Sequence, residues 1–114
     1  MLRYAFMGET MLFYKDIYTD DSIKNVSLVK WKIRHGLLRH GMYLITIADS
    51  DNQLECFSVS MLKQKYFRRQ GLKVVGITKT YDAALEVIKR VMDDTLQTTG
   101  IPDMKTYLLS MEFL

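Results

Sequence analysis

LKVVGITKTYDAALEVIKRVMDDTLQTT, residues 72–99, reads as one short apolar strand running into the longest helix of the chain. Val74, Val75 and Ile77 favour extended backbone, and a run apolar on both sides suits a strand covered on both faces. Thr78 and Thr80 are N-cap candidates, since a side-chain oxygen can accept one of the unpaired N–H groups of a first helical turn. Asp82 then falls where the helix dipole favours negative charge. Tyr81, Ala84, Leu85, Ile88, Val91, Met92 and Leu96 repeat with the spacing of one buried helical face. Glu86, Lys89, Arg90, Asp93 and Asp94 form the opposite face, and Gly100 with Pro102 supplies the stop. Gly76 either admits a ligand or clears a helix packed above it; the second reading is favoured, because a lone glycine before a helix is not a phosphate loop.

The pattern extends in both directions. Residues 11–18 read as a first strand. Thr19, Asp20, Asp21 and Ser22 then offer caps for a helix carrying Ile23, Val26, Val29, Lys30 and Ile33, with Leu28 and Trp31 on its flanks. Gly36 stands where a left-handed cap is needed. Residues 42–48 and 54–59 form a hairpin around Asp49, Ser50, Asp51, Asn52 and Gln53. A helix over 61–69 and a last short one over 104–111 complete the chain. The order reads β-α-β-β-α-β-α, an α+β class with four strands. It predicts a ferredoxin-like, split βαβ antiparallel sheet with helices on one face and an extra C-terminal helix. Both faces of 42–48 are apolar, so the second face needs a cover; a second subunit, hence a homodimer, or the C-terminal residues would supply it.

The 114 residues bound one domain, large enough for a core without disulfide or metal. The domain is placed at 11–114, with 1–10 a flexible extension. One cysteine, Cys56, fits a reducing cytosol. No apolar run reaches the roughly 20 residues of a membrane span, and 1–10 lacks the core of a signal peptide. A cytoplasmic protein is expected.

Chemistry-bearing motifs are few. His35, His40 and Cys56 have no zinc spacing. Cys56 sits beside Glu55 and reads as a structural thiol rather than a nucleophile. Residues 49–60 lack the glycine and glutamate of a calcium loop, and 36–43 lack the Lys-Ser/Thr of a phosphate loop. Gly41-Met42-Tyr43 has the form of the first motif of GIY-YIG nucleases, but the second motif is missing. No cofactor, metal or catalytic residue is expected.

One constellation remains. Between residues 30 and 73 nine Lys/Arg face three acidic residues, while the rest of the chain is net acidic. Lys30, Lys32, Arg34 and Arg39 interleave with Trp31 and His40; Lys63, Lys65, Arg68 and Arg69 interleave with Tyr66 and Phe67. Cations for phosphates and rings for bases are a nucleic-acid pattern. The competing reading turns Trp31 and Tyr66 into the core and leaves the cations to solubilise. Two alternatives stand beside nucleic-acid binding. One is a small-molecule binder or enzyme with a pocket between helix and sheet, using Tyr43, His35 or His40. The other is a structural homodimeric partner subunit.

LVKWKIRHG, MLKQKYFRRQ and VVGITKTYDAALEVIKRV together resemble a family of small, uncharacterised cytoplasmic proteins from gut-dwelling Firmicutes, over roughly residues 11–108. The resemblance implies a bacterial accessory protein and brings no activity, cofactor or catalytic residue with it.

Overall fold

The computed structural model describes residues 11–38, 40–63 and 71–114. Four strands form one sheet: β1 (Leu12–Thr19), β2 (Tyr43–Ile47), β3 (Leu54–Ser58) and β4 (Lys73–Thr78). Three α-helices accompany them, α1 (Val26–Arg34), α2 (Tyr81–Thr99) and α3 (Met104–Leu109), with a 3-10 turn at Val59–Lys63. The sheet order is β1-β4-β2-β3. β2 runs antiparallel to both neighbours, but β1 runs parallel to β4.

The expected ferredoxin-like antiparallel sheet is therefore corrected to a mixed one. The cause lies in β4, whose Val74, Val75 and Ile77 have no exposed surface. An apolar run of this kind demands a central position with both edges paired, so β1 takes the outer place that the last strand has in the expected order. The free edge of β1 is closed in turn by residues 112–114. Phe13 N–H donates to the Leu114 carbonyl (2.9 Å), Leu114 N–H to Phe13 (2.8 Å), and Lys15 N–H to Glu112 (2.9 Å).

The helices also lie on both faces rather than one. On the first, Ile33 of α1 and Val59 and Leu62 of the 3-10 turn pack with Phe13, Leu44, Val74 and Ile77. On the second, Ala84, Val87 and Val91 of α2 and Met104 and Leu108 of α3 pack with Tyr14, Tyr18, Ile45 and Val75. Burying each such valine contributes about 2 kcal/mol. The second face, for which a second subunit or the C-terminal residues were the expected cover, is thus covered by α2 together with the C-terminal α3. The pairing of β2 with β4 slips by one residue: Ile45 is opposite Gly76 while Thr46 is opposite Val74. Val75 is the extra residue of this bulge, so Val75 and Gly76 both face α2 and Ile77 returns to the α1 side.

Local signals explain the helix ends. Thr80 caps α2, its hydroxyl accepting from Ala83 N–H (3.0 Å), and Gly100 closes it at φ 73°. Asn25 caps α1 by accepting from Leu28 N–H (3.0 Å), three residues later than the polar cluster at 19–22 suggests. The expected helix over 61–69 is a 3-10 turn as far as Lys63, and the rest of it lies outside the described residues, as does the extension at 1–10.

Candidate nucleic-acid interface

Successive helical residues turn by about 100°. Seating Ile33 in the core therefore swings Lys30, Arg34, Ser27, Trp31 and His35 onto one flank of α1. That flank borders a cleft of about 270 Å3, closed by Phe13 of β1 and by Leu114. Phe13 is its floor: the Arg34 guanidinium carbon lies 4.9 Å and the Lys30 ammonium 5.9 Å from the ring centroid. Arg34 Nη2 donates to the backbone oxygens of Met11 (2.9 Å) and Leu114 (3.1 Å), tying α1 to the start of β1 and to residues 112–114. Arg34 is thus a positioning residue of the cleft.

Trp31 is 50% exposed, which overturns its placement in the core. Its indole stacks on the His35 imidazole with centroids 4.4 Å apart and 28° between planes. His35 Nδ1 donates to the Trp31 carbonyl (2.8 Å) and holds the imidazole in place. No Asp or Glu side chain lines the cleft, and no described acidic side chain pairs with Lys30. The arrangement suits an anion beside a flat ring.

The structure brings together Lys30 and Arg34 of the residues read as nucleic-acid ligands. Lys32 lies two residues from Lys30, hence about 200° around the helix on the opposite flank. Lys63 ends the 3-10 turn. Arg39, Lys65, Arg68 and Arg69 lie outside the described residues, as does Tyr66. Ser27, Phe13 and Leu114 are contributors that sequence reasoning missed. Phe13 and Leu114 carry no charge and stand far from α1 in sequence, so only the fold makes them neighbours; Ser27 was legible one turn before Trp31.

The residues of the enzyme alternative are not assembled. Tyr43 sets its ring edge-on to Tyr81, 5.9 Å away, on the α2 side of the sheet, while His35 is on the α1 side. Burial pushes the Cys56 thiol up, away from the reactive thiolate. Among the described residues no group of three or more His, Cys, Asp or Glu could hold a metal ion, and no helix is long and apolar enough to cross a membrane. A second cleft of about 190 Å3 lies between Asp49, Lys73, Lys105 and Leu109, where Lys105 Nζ donates to the Ser50 carbonyl (2.9 Å).

Comparison of the chain with protein-family models, with curated proteins and with solved structures found no match, so no family or activity comes to it from a relative.

Proposed function

We propose that the chain is a non-enzymatic binding module of a bacterial cytoplasm that contacts nucleic acid through the flank of α1. The observation that carries this reading is the cleft itself: Lys30 and Arg34 beside a half-exposed Trp31, with no Asp or Glu side chain in the lining. Phosphate attracts the cations, and the ring offers a surface to a base. The test is binding of a labelled oligonucleotide by fluorescence anisotropy across a salt series. Affinity falls linearly on a log–log plot as salt rises, and Lys30→Glu weakens it. The reading is sunk by absent binding at low salt, or by a Lys30→Glu variant that binds as the parent does. Charge reversal at Lys65, Arg68 and Arg69 asks whether the second basic segment takes part.

A homodimeric partner subunit is the second reading. It is favoured by the outer flank of α2, where Tyr81, Leu85 and Leu96 are exposed. Sedimentation velocity showing a strict monomer removes it.

A further inference from the structure

We infer that the α1 cleft takes a single strand, with one unstacked base against Trp31 and an adjoining phosphate on Lys30. This rests on the reading just proposed and names the form of nucleic acid that the surface accepts.

Three observations converge on it. The first is what the outward crest of α1 presents. Trp31 and Leu28, 50% and 45% exposed, stand there with His35. A helix that enters a duplex major groove lays polar and cationic groups on base edges and phosphates. Here the cations are set back: half-buried Lys30 lies over Phe13, Arg34 is held by two backbone oxygens, and Lys32 is on the opposite flank.

The second observation is the platform. His35 backs the indole and is itself held to the Trp31 carbonyl, so the ring is braced while half of its surface stays open. In a duplex the faces of a base are covered by its neighbours. Only an unstacked base can use an aromatic platform.

The third is size and charge. A cleft of about 270 Å3 has room for a single ring-sized or phosphate-sized group. No Asp or Glu side chain is among its walls, and the Lys30 ammonium is the cation left for a phosphate, since Arg34 is held by the backbone oxygens of Met11 and Leu114.

Trp31 is the one tryptophan of the chain, so its fluorescence reports on the site directly. The full chain is titrated at low salt with an oligoadenylate single strand, with its duplex, and with an abasic strand of equal length. The single strand quenches Trp31 and binds about tenfold or more tighter than the abasic strand, as one stacked base requires. Trp31→Ala loses about the same factor and keeps the salt slope; Trp31→Phe retains most of the affinity. Lys30→Gln lowers the salt slope by about one and leaves quenching by the saturating strand intact. A duplex that binds as well as the single strand without quenching overturns the inference, and so does an abasic strand that matches the intact one. Either result leaves nucleic-acid binding standing. Absent binding of all three probes, or tighter binding of polyglutamate, removes that reading as well.

Discussion

Gly76 of β4 lies directly beneath Val87 of α2: a Cβ at Gly76 would stand 3.2 Å from Val87 Cγ1 and 2.9 Å from Ile45 Cδ1. The glycine clears a helix and admits no ligand. Gly76→Ala therefore overpacks the α2 face and costs about 1–3 kcal/mol. Ile45→Val removes the methyl that the new Cβ meets first. Urea denaturation of the two single variants and the double variant will show a favourable coupling between the positions. Strict additivity contradicts the contact.

Thr46 presents the opposite fault. Its side chain has no exposed surface, and its hydroxyl has no hydrogen-bond partner among the described residues. A buried unpaired hydroxyl costs about 1–3 kcal/mol, which an apolar group of the same shape avoids. Thr46→Val is expected to raise the denaturation midpoint with the m-value unchanged. A lowered midpoint would reveal a partner for the hydroxyl.

Asp20 joins the ends of the two parallel strands. Its carboxylate accepts from Lys79 N–H (2.8 Å), from Ser22 N–H (2.7 Å) and from the Ser22 hydroxyl. Burial raises its pKa, but the hydrogen bonds from Ser22 and Lys79 outweigh burial and hold it below the usual carboxylate value. A depressed folded-state pKa contributes stability above the unfolded value, and this stability is lost as pH falls through the folded one. Asp20→Ala is thus expected to cost about 1–2 kcal/mol at neutral pH. The gap between parent and variant should close as pH falls below about 4. A gap that is constant with pH refutes the ionic origin.

Tyr18 gives the alkaline counterpart. Its hydroxyl donates to Asp94 Oδ2 at 2.5 Å, and the Arg90 guanidinium lies 5.4 Å from its ring. Burial first, and then the bond to Asp94, push its pKa far above that of a free tyrosine. The sign is the reverse of that for Asp20: the contribution is complete below the unfolded value of about 10 and is lost as pH rises through the folded one. In a tyrosinate absorbance titration, Tyr18 should ionise at the alkaline end. That step should be missing in Tyr18→Phe, which should also lose about 1–3 kcal/mol at neutral pH.

Much of the fold was legible because its signals are local. Thr80, Asp82 and Gly100 act within one turn of themselves, and the α2 periodicity marks the helix but misplaces its buried face: Ala84 and Val91 are buried as read, with Val87 and Thr95, while Tyr81, Leu85 and Leu96 are exposed. Lys30 and Arg34 were legible as cations, and Trp31 as their neighbouring ring. The cleft that unites them was not, because it depends on Phe13 arriving from β1 and Leu114 from the far end of the chain. Nor could the pattern place Trp31: at the edge of an apolar stripe a ring can turn either way, and packing beside His35 turned it outward.

The sequence by itself determined the four strands, the long helix and its caps at Thr80 and Gly100, since these follow from residue type and spacing, but it placed the α1 cap three residues early. Only the tertiary structure decided that β4 lies inside and runs parallel to β1, that the helices divide between two faces, and that one flank of α1 becomes a cleft. The reason is that strand pairing is a competition among whole arrangements. Backbone hydrogen bonds are alike in each, and the winner is the one that buries Val74, Val75 and Ile77 completely.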